Sequence, residues 1–206
     1  MKQKFFIDTN KAVTGLIVFV MIVIYNQWGN TTAWVYLAVH GTYGFLWVLK
    51  SQIFPDKQWE ERTSWAYGAV IWLGLSLYWV APWIITSQSV QDASWYLAIC
   101  ISIYALGVFL HFTSDMQKYT SLKLNPECLI TTGLMARTRN INYFGELLIY
   151  GSFALLTKHW LPSAILMAWV LFIWVPNMLK KDRSLSRYPE FKAYKERTKL
   201  FIPFLL

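Results

Sequence analysis

A short polar stripe, formed by Asn142, Tyr143 and Glu146, interrupts an apolar stretch in the second half of the chain. Residues four apart lie one above the other on a helix, so Asn142 and Glu146 would share a helix face. Gly145, which has no side chain, would let another backbone or a ligand approach that face closely. A carboxylate within a membrane-spanning stretch is costly, and it indicates a functional site. The structural alternative is a helix–helix hydrogen bond from Asn142 and a Glu146 side chain that reaches the membrane surface.

A second stripe, formed by His111, Asp115 and Lys118, has the helical spacing of four and then three residues. On spacing alone it is as typical of a salt-bridged helix end as of a ligand site. Arg137 and Arg139 lie between the two stripes in the chain and add positive charge. Together these groups would form a cationic pocket with a few acceptors, which suits an anionic cofactor that bears phosphate.

A third set lies in the first half of the chain, where His40, Tyr43 and Trp47 would share one helix face. A tyrosine hydroxyl within the membrane could donate a hydrogen bond to a substrate carbonyl, or equally to a neighbouring backbone carbonyl. Tyr43 and His40 are therefore the candidate catalytic residues.

The composition indicates that these stripes lie in membrane helices. The chain has 206 residues, of which 56% are hydrophobic and only 15% are charged, whereas soluble domains carry about a quarter charged residues. The mean hydropathy is +0.35. Six windows are apolar enough to approach the length of about 20 residues that a span requires. They cover residues 11–28, 31–49, 64–85, 94–112, 141–156 and 160–179.

These windows predict an all-α polytopic integral membrane bundle of about six transmembrane helices in a single domain, residues 1–206. Residues 1–108 would form the substrate side, and residues 109–206 a cofactor-binding half with a cytoplasmic tail. Of the 19 Lys and Arg residues, 18 lie at the N-terminus, in two loops and in the tail, and Lys158 alone lies in a short connection. The positive-inside rule then places both termini and the cofactor side in the cytoplasm. The formal net charge of +8 lies at the ends of apolar runs, which argues against nucleic-acid binding.

The charged tail allows two interpretations. Pro189 could begin a short helix with Phe191 and Tyr194 on one face. Alternatively, the tail could be solvated and attracted to anionic lipid. Cys100 and Cys128 have no C-x-x-C partner, so no metal site is predicted. There is also no G-x-G-x-x-G motif after a strand and no phosphate loop, and no protein partner is indicated.

The C-terminal half resembles the steroid 5α-reductase C-terminal domain. The similarity covers residues 109–206 and rests on S-D at Ser114-Asp115, on N-Y-F-G-E at Asn142 to Glu146, and on the closing Y-K-E-R-T-K-L-F-I-P-F-L-L. That domain belongs to a wider superfamily of membrane enzymes. Its sterol and trans-enoyl reductases use NADPH, whereas its isoprenylcysteine carboxyl and phospholipid methyltransferases use S-adenosylmethionine.

The resemblance favours the reductase branch, because the methyltransferases typically have R-H-P-x-Y-x-G with no acid after the glycine. They also typically carry paired glutamates where this chain has Lys181-Asp182. The resemblance implies that Asn142 and Glu146 meet the nicotinamide end of NADPH and that Asp115 helps to hold the rest. His111 stands where the reductases have asparagine. The full set of predicted cofactor-binding residues is His111, Asp115, Lys118, Arg137, Arg139, Asn142, Tyr143, Glu146, Lys181 and Tyr194.

The substrate half departs from the reductases, which pair a glutamate with a tyrosine to polarise the steroid ketone. Here the first two spans carry Tyr43 and no glutamate. We expect an NADPH-dependent reductase of an activated C=C bond in a lipid or steroid-like enone, which would enter from the bilayer. The alternative is a methyltransferase that uses S-adenosylmethionine on a lipid or prenylated substrate. A third possibility is a non-catalytic lipid-binding membrane protein.

Overall fold

The structure, a computed structural model, describes residues 1–205 and contains nine α-helices and no β-strand within that part of the chain. The helices are α1 (Gln3–Ile24), α2 (Thr31–Ile53), α3 (Trp65–Ser76), α4 (Val80–Ser87), α5 (Ser94–Leu124), α6 (Ile141–Leu155), α7 (Trp160–Trp169), α8 (Val175–Leu185) and α9 (Phe191–Arg197). This confirms the predicted all-α class.

Helices occur at all six predicted windows, but only four helical segments of the described chain are long and apolar enough to cross a membrane. These are Gln3–Ile24, Trp65–Ser87, Ser94–Leu124 and Trp160–Leu185. Helix α6 is too short, at 15 residues. Helix α2 has sufficient length, at 23 residues, but polar residues such as His40 and Lys50 lower its hydropathy. The chain is therefore a polytopic helical membrane bundle, in which four segments have the length and hydropathy of a membrane span.

Two of the four spans contain a local change of helix type. A 3₁₀ turn at Leu77–Trp79 joins α3 to α4, and a π-helical turn at Val170–Trp174 joins α7 to α8. Pro176 lies in the first turn of α8. Since proline lacks an N–H and clashes with the carbonyl four residues earlier, a π-helical turn at this point relieves the conflict.

Several helix bounds differ from the predicted windows. Helix α1 begins at Gln3, so Lys11 lies more than two turns inside it and is buried, not in a flank as the window predicted. Helix α5 continues to Leu124, twelve residues beyond the predicted end. Its polar last turns are stabilised by Gln117, which donates to the Thr132 carbonyl (2.8 Å) and accepts from the Leu134 N–H (3.1 Å).

The described residues divide into two compact units. The first unit comprises Met1–Tyr104 and Gly151–Ile165. The second comprises Ala105–Tyr150 and the chain from Leu166 onward. The predicted division at residue 108 into a substrate half and a cofactor half is a functional one and stays a prediction.

Helices α1 and α2 of the first unit cross closely at glycines. A Cβ at Gly44 would lie only 2.3 Å from the carbonyl oxygen of Lys11. Gly15 and Gly41 also face each other across the pair, since a Cβ on either would lie 3.5 or 3.6 Å from the Cα of the other. The crossing therefore fixes the position of the Lys11 backbone relative to α2.

The polar residues of α1 bond to the span Trp65–Ser87. Asn10 donates to the Trp72 carbonyl and to the Ser76 hydroxyl, both at 3.1 Å. The Trp79 indole N–H donates to Thr14 Oγ1 (3.0 Å). Because each of these buried groups has a protein partner, the first unit can hold polar residues away from water.

The three short connections of the chain contact one another in the first unit. Gln27 donates to the Ser89 hydroxyl (2.9 Å), which links the first connection to the second. The Asp92 backbone N–H donates to Thr32 Oγ1 (2.8 Å), and the Asp92 carboxylate pairs with Lys158 (2.6 Å). These connections therefore lie together at one end of α1.

The N-terminal residues contact the charged loop after α2 at the other end of α1. The Gln3 N–H donates to the Glu61 carbonyl (3.0 Å), and the Glu60 carboxylate pairs with Lys2 and Lys4. Hydrogen bonds from these two lysines lower the pKa of Glu60. The basic residues and the weakly charged connections are thus separated along the first unit, whereas the side of the membrane that each faces stays a prediction.

Candidate site at the crossing of α5 and α6

Helices α5 and α6 cross at two glycines in the second unit. A Cβ at Gly107 would lie 2.7 Å from the Gly145 carbonyl oxygen. A Cβ at Gly145 would lie 2.5 Å from the backbone nitrogen of His111. Both contacts are with backbone atoms, so neither position could hold a larger residue without a shift of the helices. The prediction that Gly145 permits a close approach is confirmed, and the approaching element is another helix.

This crossing brings part of the first polar stripe to part of the second. The His111 ring nitrogen Nδ1 lies 3.3 Å from the Asn142 carbonyl oxygen. The other ring nitrogen, Nε2, lies 3.7 Å from Asp115 Oδ2. His111 and Asp115 are 2% and 4% exposed. A buried imidazole thus lies between the carboxylate of α5 and the first turn of α6.

The stripe on α6 is less deeply buried than the pair on α5. Asn142, Tyr143 and Glu146 have intermediate exposure. The Tyr143 ring packs on Trp174, with ring centroids 5.6 Å apart. Trp174 belongs to the π-helical turn, so the local irregularity of the last span positions one wall of the site. Asn142 and Glu146 are therefore less enclosed by the protein than His111 and Asp115.

Arg139 clamps the C-terminal tail. It is 6% exposed and holds the Asp182 carboxylate through two parallel bonds, Nε to Oδ1 and Nη2 to Oδ2, each 3.1 Å long. Its third nitrogen, Nη1, donates to the carbonyl (2.7 Å) and the hydroxyl (3.1 Å) of Thr198. Paired bonds in this fork geometry are the strong form of an arginine–carboxylate contact. Arg139 therefore binds the tail, and its predicted contact with a cofactor stays a prediction.

Lys181 and Tyr194 hold the loop between α5 and α6, residues 125–140, which carries Arg139. The Lys181 ammonium donates to the Arg139 carbonyl (2.9 Å) and to the side-chain oxygen of Asn140 (3.0 Å). The Tyr194 hydroxyl donates to the Met135 carbonyl (2.7 Å), and burial raises the pKa of Tyr194 to about 12.

Phe191 and Tyr194 are buried on one face of α9, so the tail is not solvated throughout, and its attraction to anionic lipid stays a prediction. The predicted short helix is confirmed, although it begins at Phe191 and not at Pro189. Of the predicted basic residues, Arg137 is the exposed one, and Lys118 on α5 and Lys181 have intermediate exposure.

The candidate catalytic pair lies deep in the first unit. Tyr43 is 0% exposed and His40 is 2% exposed. His40 Nδ1 lies 2.9 Å from the Tyr36 hydroxyl, and the imidazole stacks on the Phe153 ring with centroids 4.3 Å apart. Tyr43 also packs near Phe153, at 6.2 Å. The structure therefore places both predicted residues in one aromatic cluster with polar tips.

Lys11 is a candidate site residue that the sequence reasoning missed. Its ammonium nitrogen lies 4.6 Å from the centroid of the Tyr43 ring and 5.3 Å from that of Trp47. The sequence carries a signal, because Lys11 directly precedes the apolar run A-V-T-G-L-I-V-F-V and follows Phe5-Phe6-Ile7. A lysine at the edge of an apolar run is also typical of a topology signal, so the residue type alone does not show that Lys11 lies inside the helix.

Comparison with known proteins identifies the family. The family described as "Protein of unknown function (DUF1295)" matches residues 5–198. No curated protein and no solved structure matches the chain. Within residues 1–205, no group of three or more His, Cys, Asp and Glu side chains is placed to hold a metal ion. Because the matched region extends over far more than half of the sequence, the chain belongs to the DUF1295 family.

Proposed function

We propose that this protein is an NADPH-dependent membrane reductase, similar to the steroid 5α-reductases, which saturates an activated C=C bond in a lipid or steroid-like enone. The observation that carries the proposal is the crossing of α5 and α6 at Gly107 and Gly145. It sets the His111–Asp115 pair beside the first turn of the N-Y-F-G-E segment. Two polar stripes that are 31 positions apart at His111 and Asn142 thus meet within one unit.

The chemistry of this set fits a nicotinamide cofactor. Asn142 and Glu146 would bind the carboxamide, because an amide and a carboxylate supply the complementary acceptors and a donor. Lys118 and Arg137 would bind phosphate oxygens, since each is basic and at least partly exposed. Arg139, Lys181 and Tyr194 would act mainly by positioning other residues. Their bonds join the loop that carries Arg137 to the tail.

The substrate carbonyl would accept a hydrogen bond from Tyr43, with His40 in support. The bound nicotinamide would supply a hydride to the β-carbon of the enone. As the C=C electron pair shifts, negative charge develops on the carbonyl oxygen, where a hydrogen bond from Tyr43 becomes stronger. A proton from water at the α-carbon completes the reduction to CH–CH. Glu146 would position the nicotinamide and would not donate this proton.

The distribution of basic residues supports a cofactor side that faces the cytoplasm. The outlying Lys158 belongs to the cluster of short connections, where Asp92 partly neutralises it. Lys11 lies inside α1, and the excess of Lys and Arg on the predicted cytoplasmic side remains when Lys11 is not counted. In this arrangement the polar cofactor binds from the cytoplasm, and the lipophilic substrate reaches Tyr43 from the bilayer.

Ligand-dependent stabilisation of the purified protein tests the proposal. A ligand that binds only the folded state stabilises it in proportion to the logarithm of its concentration over Kd. We expect NADPH to raise the unfolding temperature in detergent, and NADH to do so less if Lys118 and Arg137 contact the 2′-phosphate. A response to S-adenosylmethionine without one to NADPH would favour the methyltransferase instead. A response to neither, with binding of lipid alone, would favour the non-catalytic alternative.

A further inference from the structure

Lys11 occupies an unusual environment for a lysine. It lies more than two turns inside α1 and is 4% exposed. An ammonium group in the apolar part of a membrane protein is costly unless its surroundings compensate. Two aromatic faces contribute here, since the nitrogen lies over the rings of Tyr43 and Trp47. The attraction of a cation to an aromatic face grows when water is excluded.

The crossing of α1 and α2 fixes this arrangement. The carbonyl oxygen of Lys11 fills the space that a Cβ at Gly44 would need. Gly44 directly follows Tyr43 in α2, so the contact that admits the Lys11 backbone also brings Lys11 next to Tyr43. The position of the charge is thus determined by two packed helices and not by a flexible surface side chain.

We infer that Lys11 is a positioning residue that acts through Tyr43 and makes the site select ligands whose oxygen carries or gains negative charge. The inference deepens the proposed function and rests on it for the reaction step. In that step the electron pair of the C=C bond moves towards the carbonyl oxygen, which Tyr43 contacts. A fixed positive charge beside Tyr43 stabilises the resulting enolate more than the neutral enone. The ligand class is therefore a lipophilic enone, or a lipophilic anion that mimics its enolate.

A matched pair of probes tests the inference without turnover. The probes are a planar polycyclic carboxylate, which mimics the enolate, and its primary carboxamide, which has the same shape without the charge. We expect the wild-type protein to bind the carboxylate at least about tenfold more tightly than the amide. Lys11→Met should abolish that preference, and Lys11→Arg should retain most of it. An unchanged preference in Lys11→Met, or no preference in the wild type, would overturn the inference.

Lys50 supplies a control in the same region. It is as deeply buried as Lys11, and its ammonium lies over Trp47 at 4.8 Å and pairs with Asp56 at 2.7 Å. Lys50→Met should lower stability and leave the carboxylate-to-amide ratio intact. If Lys50→Met erases the ratio as Lys11→Met does, the effect is general to buried charge and the inference fails.

Measurements of enone reduction distinguish a failure of this inference from a failure of the proposed function. With an enone and NADPH, Lys11→Met should lower kcat by about 10- to 100-fold with little change in KM, because the charge acts mainly when the enolate forms. If the wild type reduces no enone while Lys11→Met still loses the carboxylate preference, the proposed function fails and the assignment of Lys11 stands.

A second variant keeps the test decisive if Lys11→Met does not fold. Tyr43→Phe removes the hydroxyl through which the charge acts and keeps the ring beneath the ammonium. It should reduce the carboxylate preference by about tenfold. A full preference in a folded Tyr43→Phe protein would contradict the inference.

Discussion

Helix α5 passes close to Gly145 in the candidate cofactor site, and Gly145→Ala would test this approach. The added Cβ would meet the His111 nitrogen at 2.5 Å and the Gly107 carbonyl oxygen at 2.8 Å. Both are backbone atoms, so no side-chain rotation can relieve the overlap. Overpacking of this kind costs about 1–3 kcal/mol, and we expect the upper part of that range.

Helix propensity opposes this cost in a way that a control can measure. Alanine is more favourable than glycine inside a helix by about 1 kcal/mol. Gly151 lies on the same helix, and a Cβ there would meet nothing within 4 Å. Gly151→Ala should therefore be neutral or stabilising by up to about 1 kcal/mol, whereas Gly145→Ala should be destabilising by about 1–2 kcal/mol after the propensity gain.

Reversible unfolding of the two variants in detergent gives the difference directly. We expect Gly145→Ala to be less stable than Gly151→Ala by about 1–3 kcal/mol. NADPH affinity should fall in Gly145→Ala alone, because the shift of α5 moves His111 away from Asn142. Equal stabilities would mean that α5 and α6 do not cross at this separation, and the assembly of the two stripes into one site would then be refuted.

Three further predictions concern the tail and the topology. Asp182→Asn should cost about 3–5 kcal/mol, because it leaves Arg139 buried without its ion pair, and limited proteolysis should then cleave the tail faster than in the wild type. The pKa of Tyr194 is raised to about 12 against about 10 in the unfolded chain, so its contribution to stability should be constant below pH 10 and should fall as the pH rises towards 12. Tyr194→Phe should lose that component of the pH dependence in alkaline unfolding titrations, and an identical profile would contradict the assignment. Single cysteines at the exposed Gln58 and Gln88, in a background without the native thiols, should label from opposite sides of the membrane, and labelling from the same side would exclude the predicted topology.

Hydropathy located the helices well, because an apolar run long enough to cross a bilayer is a strong local signal. It located their ends poorly. The end of α5 lies at Leu124 since Gln117 binds the distant Thr132–Leu134 turn, and no local pattern carries that information. The predicted start of α1 is too late, because a lysine is typical of the region that flanks a membrane span. The burial of Lys11 depends on the approach of α2, which the local sequence does not show.

The site, too, could be predicted only in part, because local spacing is visible in the sequence and tertiary contacts are not. The spacing of His111 and Asp115, and the small size of Gly145, are visible in the sequence. The contact between His111 and Asn142 joins residues 31 positions apart and follows only from how α5 crosses α6. Arg139 and Asp182 are separated by 43 positions, so their pairing could not be read from a run of charges. The sequence therefore indicated which residues to consider, and tertiary contacts decided which of them hold the tail.

The affinity of the purified protein for NADPH, compared between wild type and Glu146→Gln, tests the central claim most directly. The substitution keeps the shape of the side chain and removes its charge and one acceptor. If Glu146 accepts a hydrogen bond from the nicotinamide carboxamide, affinity should fall by about 10- to 150-fold, the worth of a charge-assisted bond of about 1.5–3 kcal/mol. Glu196→Gln on the exposed surface of α9 should leave affinity unchanged. Unchanged affinity in Glu146→Gln, or no NADPH binding by the wild type, would contradict the assignment of this site to a nicotinamide cofactor.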